Sequence, residues 1–191
     1  MAPHEIELIQ KARGGDVGAF EALVYRYDKQ VLTIAARYVN SSDDAKDIYQ
    51  EVFLRVYKGL KKFQLRSEFS TWIFRITTNV CLSYHSRRKR HAHISLDQEQ
   101  DENDGEKSHR GEIVSEEHSP HRQTENAELS VRVEEAMNVL SPQQKLIFTL
   151  KHYQGYKLNE IASMLECSEG TVKKQLFIAV RRLRNQLKEF A

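Results

Sequence analysis

Glycine and proline are scarce, at 8 and 3 of 191 residues. An all-β chain needs a turn about every 8–12 residues, and turns draw heavily on both. That shortage argues against a strand-built fold and favours long, uninterrupted helices. Cysteine is rarer still: Cys81 and Cys167 stand alone, with no CxxC spacing. A disulfide frame or zinc finger is therefore not expected, and a reducing compartment is. No apolar run reaches the roughly 20 residues of a membrane-spanning helix, so no membrane insertion is expected. The polar N-terminus from His4 onward predicts no signal peptide and a cytoplasmic location. Catalytic signatures are missing too: there is no Gly-rich phosphate loop, HExxH site or nucleophile–base set. The chain is expected not to be an enzyme and to carry no cofactor. Six of the eight histidines fall between His85 and His121 without ligand-like spacing, so no metal site is expected.

What is present is charge in blocks. Residues 1–95 carry 16 Lys/Arg against 10 Asp/Glu, residues 96–128 carry 3 against 11, and residues 129–191 carry 10 against 6. The acidic middle contains Asp101-Glu102-Asn103-Asp104-Gly105-Glu106 and few large apolar residues beyond Ile113 and Val114. It has too little surface to bury to offset its ordering entropy. The expected organisation is all-α: a helical domain over 1–93, a flexible acidic linker over 94–127 and a second helical domain over 128–191.

Cap residues and apolar periodicity place the helices. Asp16 caps a helix with Phe20, Leu23, Val24, Tyr27, Val31, Ile34 and Ala35 on its core side. Ser42 or Asp43 caps a second, running to about Lys62, and Ser67 or Ser70 opens a third towards Tyr84. Beyond the linker a helix is predicted over Leu129–Leu140, followed by Ser141-Pro142-Gln143-Gln144, an N-cap, a Pro at the first helical position and a capping-box Gln. Two further helices are predicted at Leu158–Leu165 and about Glu169–Leu187. Ile161, Ala162 and Leu165, then a tight turn, then Val172, Leu176, Ala179 and Leu183 have the spacing of a helix-turn-helix. Ser168 can cap the second helix, while Glu166 stands where the turn usually holds glycine.

At about 100° per residue the polar positions also sort into faces. Asp47, Gln50, Glu51 and Leu54 lie opposite the core stripe of their helix. That acidic, amide-bearing face suits a basic protein partner, or is simply solvated. Trp72, Arg75 and Asn79 share an edge that could stack an unpaired base, hold its phosphate and bond its edge; a lone Trp in a small helical domain is more often a core residue. Arg87-Arg88-Lys89-Arg90 suits phosphates. In the last helix Thr171, Lys174, Gln175 and Ile178 would face a major groove, with Gln able to pair bidentately with adenine and Ile to touch a thymine methyl. Arg181, Arg182 and Arg184 would reach phosphates.

In order along the chain, Asp44-Ala45-Lys46-Asp47-Ile48-Tyr49-Gln50-Glu51-Val52-Phe53, Phe63, Ser70-Thr71-Trp72-Ile73-Phe74-Arg75-Ile76-Thr77-Thr78-Asn79, Leu140-Ser141-Pro142-Gln143-Gln144, Glu160-Ile161-Ala162 and Gly170-Thr171-Val172-Lys173 resemble the extracytoplasmic-function (ECF) group of RNA polymerase sigma factors. The resemblance implies a region 2 bundle whose Asp47, Gln50, Glu51, Phe53 and Leu54 dock on the coiled coil of the polymerase's largest subunit. It implies that Gln64, Leu65, Arg66, Ser67 and Glu68, with Trp72, Arg75, Asn79, Arg87 and Arg88, bind the minus-ten element and capture a flipped base. It implies a region 4 whose Glu169, Gly170, Thr171, Lys173, Lys174, Gln175, Phe177, Ile178 and Arg181 read the minus-thirty-five element as duplex. The implied partners are core RNA polymerase, through its largest and second-largest subunits, promoter DNA and an anti-sigma factor, with the acidic linker threading towards the RNA exit path. Gln175, Ile178 and Val180 stand where the family commonly has basic residues, so promoter preference is not transferable from a relative. A conventional helix-turn-helix regulator is the rival reading; it leaves the acidic face and the Trp72 edge without a role.

Overall fold

The computed structural model describes residues 3–96, 132–133 and 135–188. All regular structure among them is helical: α1 (Pro3–Arg13), α2 (Val17–Tyr38), α3 (Ser42–Leu60) and α4 (Phe69–Leu96) form the first unit. A 3₁₀ turn at Met137–Val139, α5 (Pro142–His152), α6 (Leu158–Met164) and α7 (Glu169–Lys188) form the second. No described helix is long and apolar enough to cross a membrane.

Local chemistry sets most boundaries. The Asp16 carboxylate accepts the Ala19 amide at 3.0 Å and starts α2. Ser41, not Ser42 or Asp43, caps α3: its backbone is extended and its Oγ accepts the Asp44 amide, whereas Ser42 and Asp43 are already helical. That helix ends at Leu60 rather than Lys62, because the Lys62 amide turns back to the Gly59 carbonyl. Glu68, rather than either serine, offers the carbonyl that takes the first bond of α4, from the Trp72 amide. This helix continues past Tyr84 to Leu96, three residues into the segment assigned to the linker. Ser141 and Gln144 form the reciprocal capping box, with Pro142 at the first position of α5. The helix expected over Leu129–Leu140 lies partly outside the described residues and finishes in the 3₁₀ turn.

α1, absent from the sequence-based reading, is held by a polar contact. The Tyr27 hydroxyl donates to the Glu5 carboxylate at 2.6 Å inside the α1–α2 contact. Burial, reinforced by that carboxylate, raises the Tyr27 pKa and keeps the donor proton in place.

The two units do not stand apart. Leu146, Ile147 and Leu150 of α5, Ile161, Ala162 and Met164 of α6, and Val172 of α7 share one buried cluster with the first unit. α5 packs on α2 and α6 on α4. Phe74 meets Tyr156 with ring centres 5.4 Å apart, and the Arg37 guanidinium lies 3.5 Å over the Tyr153 ring. Each fully buried aliphatic or aromatic side chain contributes about 1.5–3 kcal/mol, so this junction is a packed core rather than a brushing contact. A smaller cluster of Ala136, Met137, Leu140, Ala179 and Leu183 holds the 3₁₀ turn to α7.

Candidate nucleic-acid interface

The turn between α6 and α7 gives the second unit its angle. Glu166 takes φ 52° there, the left-handed conformation usually left to glycine, at a cost of about 1–2 kcal/mol. Ser168 then caps α7: its Oγ accepts the Thr171 amide at 3.1 Å and lies 2.9 Å from the Thr171 hydroxyl. Gly170, Lys173, Lys174 and Arg181 are exposed, as is Glu169, which pairs with Lys173 at 2.8 Å. Phe177 is 70 % exposed on the same face: a bare aromatic ring among cations. Thr171 and Ile178 are half-buried. Gln175 is also half-buried, and its carbonyl accepts from the Gln144 side chain of α5 at 2.9 Å. Arg182 is not free for a phosphate, since it donates to the Val139 carbonyl and to Gln144.

In the first unit Trp72 sits in the first turn of α4. It is half-buried, packed 4.8 Å from Phe63 and 5.5 Å from Phe69, with an edge left open. Gly59, which the sequence did not single out, makes this seat possible: a Cβ there would lie 3.1 Å from Trp72 Cζ2. Gly59→Val should push the only tryptophan outward, red-shift its emission and cost about 1–3 kcal/mol by overpacking. Unchanged emission would contradict the tight seat.

Asn79 is exposed on the same edge, but Arg75 between them is occupied. Its Nη2 donates to the Ser163 carbonyl at 3.0 Å and its Nη1 lies 3.4 Å from the Glu166 carboxylate, both at the helix-turn-helix turn. Its Nε is buried without a hydrogen-bond partner. Next to it the Thr78 hydroxyl is within reach of the Arg75 carbonyl at 3.0 Å and the Met164 carbonyl at 3.3 Å. Gln64, Arg66 and Glu68 of the preceding loop are exposed, Ser67 is half-buried, and Leu65 packs against the core with φ 57°.

The outward face of α3 keeps Asp47, Gln50 and Leu54 exposed, with Glu51 half-buried and paired to Arg55 at 2.7 Å. Phe53 departs from this face: it is only 8 % exposed and its ring packs 4.8 Å from Tyr49. A groove of about 760 Å³ runs beside this face between α3 and α4, lined by Asp47, Gln50, Glu51, Leu54, Tyr84 and Arg87 among others. Arg88 closes it with a 2.7 Å ion pair to Asp44. Burial, and next the hydrogen bond to Asp44, push the Tyr84 hydroxyl up to about 12. Arg87 and Arg88 both line the groove, and only Arg88 is turned well away from the Trp72 edge. The reason is angular: at about 100° per residue Arg88 sits roughly 160° around α4 from Trp72.

Residues 23–91 match the family model for sigma-70 region 2, and residues 130–183 that for sigma-70 region 4. The ECF RNA polymerase sigma-E factor of Escherichia coli (strain K12) is 30 % identical over 180 residues, covering 94 % of this chain and 92 % of the relative. The RNA polymerase sigma-H factor of Pseudomonas aeruginosa is 28 % identical over 173 residues, covering 91 % and 88 %. Two solved structures share the fold at 20 % identity. CnrH in complex with the cytosolic domain of CnrY gives a TM-score of 0.67 over 96 % of this chain and 97 % of that one. The sigma factor RpoE in complex with the anti-sigma factor NepR from Bartonella quintana gives 0.65 over 88 % and 96 %.

The two matched regions and these relatives define the class, transcription-initiation proteins. Within it, the chain belongs to the sigma-70 family of RNA polymerase sigma factors, in the ECF group. Its function is promoter-specific initiation of transcription with core RNA polymerase, and it is an initiation factor rather than an enzyme.

Proposed function

We propose that the three surfaces divide the work of a sigma factor. Asp47, Gln50, Glu51 and Leu54 dock on a basic element of the polymerase's largest subunit, with Phe53 supporting that face from beneath. The loop Gln64–Glu68 with Trp72 and Asn79 captures an extruded base of the minus-ten strand, where stacking and edge bonds offset a few kcal/mol of unstacking. The basic face of α7, with Lys173, Lys174, Phe177 and Arg181, reads the minus-thirty-five element as duplex. Arg75 joins the minus-ten contact only after it leaves Ser163 and Glu166. Arg87 and Arg88 border the docking groove and reach DNA from that side. The acidic segment follows the RNA exit path, the protein works in the cytoplasm, and an anti-sigma factor holds it inactive, as the anti-sigma factor NepR is found in complex with the sigma factor RpoE of Bartonella quintana.

One observation carries this reading: a single chain exposes an acidic, amide-bearing face on α3 and a basic, aromatic-bearing face on α7. The first suits a basic protein and the second suits DNA. Run-off transcription on a genomic fragment library with purified core polymerase tests it. Discrete transcripts should appear only when this chain is added; none above the core background would overturn it.

A further inference from the structure

The polar junction between α5 and α7 fixes a direction that the sequence left open. Gln144 is 5 % exposed and serves the α5 capping box. Its side-chain Oε1 accepts the Ser141 amide at 3.2 Å and the Arg182 Nη1 at 3.0 Å. A backbone amide and a guanidinium only donate, so these two bonds settle which end of the Gln144 amide is the carbonyl. The other end, Nε2, therefore faces α7 and donates to Gln175 Oε1 at 2.9 Å. That bond in turn requires Gln175 to turn its carbonyl inward and its own NH2 away from Gln144.

We propose that Arg182 and Gln144 are positioning residues that hold the Gln175 amide with its NH2 outward, so that the recognition helix selects a base edge bearing acceptors. Guanine, with acceptors at both N7 and O6, fits best; cytosine, whose major-groove edge offers only the N4 donor, is disfavoured. A freely rotating Gln would use both ends of its amide on adenine, donating to N7 and accepting from N6. Here the accepting end is already directed at α5. The chain's preference at this position is thus set by two side chains that need not touch the base.

The inference rests on the reading of α7 as the duplex reader, and the test separates the two. Holoenzyme is assembled with each variant, and binding is measured to promoter duplexes carrying every single-base change in the upstream element. Gln175→Ala identifies the base pair concerned by flattening discrimination there. Wild type should favour guanine over cytosine at that pair by roughly tenfold. Gln144→Glu keeps the acceptors for Ser141 and Arg182 but has no NH2 to donate. Gln175 must then turn over and donate inward, so the preference for guanine over cytosine should be lost or reversed at that pair alone. Arg182→Ala, which leaves the Ser141 amide as the remaining donor fixing the Gln144 carbonyl, should weaken the same discrimination and leave other positions unchanged. A merely structural role for Gln144 would lower affinity for all sequences alike. Wild-type preference for adenine at that pair, or a Gln144→Glu profile identical to wild type, would overturn the proposal. If Gln175→Ala and Lys174→Ala both leave upstream binding untouched, the duplex-reading assignment of α7 fails first and takes the proposal with it.

Discussion

Phe74→Ala is expected to destabilise the protein by about 3–5 kcal/mol. Phe74 is fully buried on α4, 6.0 Å from the Tyr27 ring of the first unit and 5.4 Å from the Tyr156 ring of the second. Removing its ring costs the transfer energy of the side chain and leaves a cavity that neighbours from both units can fill only in part. Because the cavity opens at the junction, the loss should be felt by both units together. Urea unfolding followed by far-UV circular dichroism and by Trp72 emission checks this, and the two midpoints should fall together. Phe177→Ala is the matched control: the same atoms leave a 70 % exposed site, and stability should change by no more than about 0.5 kcal/mol. A loss below about 1 kcal/mol for Phe74→Ala would contradict the shared core.

The second large effect concerns binding. Asp47→Lys with Glu51→Lys reverses two charges on the exposed face of α3, where Asp47 is free to solvent and Glu51 makes one surface pair with Arg55. Surface pairs of that kind contribute about 0–1 kcal/mol, so the fold should survive. A basic docking partner, by contrast, would meet like charge where it expects opposite charge. Affinity for core polymerase should fall about 100-fold or more, the range of 2–5 kcal/mol measured when interfacial charge pairs are broken. Fluorescence anisotropy of a labelled chain titrated with core enzyme reads this directly. Unchanged affinity with an intact helical spectrum would remove α3 from the docking surface.

What could be read in the sequence was whatever a local rule fixes. Asp16, Ser141 with Gln144, and Ser168 are caps whose partners lie three residues away, and all were found in place. The left-handed Glu166 was visible for the same reason, as a turn position with no glycine. The core stripes of α2 and α3 followed from helical period; Phe53, assigned to the docking face by resemblance alone, lies about 20° from the core residue Leu60 on the wheel and is buried. α1 escaped notice because a buried Glu5 breaks its apolar pattern, and the reason for that carboxylate is Tyr27, 22 residues on. Pairings between distant faces were not legible at all. Periodicity gave Arg75 an edge but could not say that Ser163, 88 residues later, would occupy it. Nor could it show that Gln175 would be held from α5. Both contacts join surfaces whose angular positions are local facts and whose meeting is a global one.

The clasp on Arg75 has a thermodynamic consequence of its own. Residues 97–131 join the two units covalently, so their meeting is unimolecular and dilution does not open it. For any ligand that requires the Arg75 guanidinium, apparent affinity equals intrinsic affinity scaled by the fraction of molecules in which the clasp is undone. Salt shifts that fraction through the half-exposed Arg75–Glu166 pair, whereas the apolar contacts beneath it are indifferent to screening. The buried, unbonded Nε of Arg75 works the other way, since an unmet donor costs the closed form about 1–3 kcal/mol. A ligand that satisfies this N–H therefore recovers part of the work of separating the units.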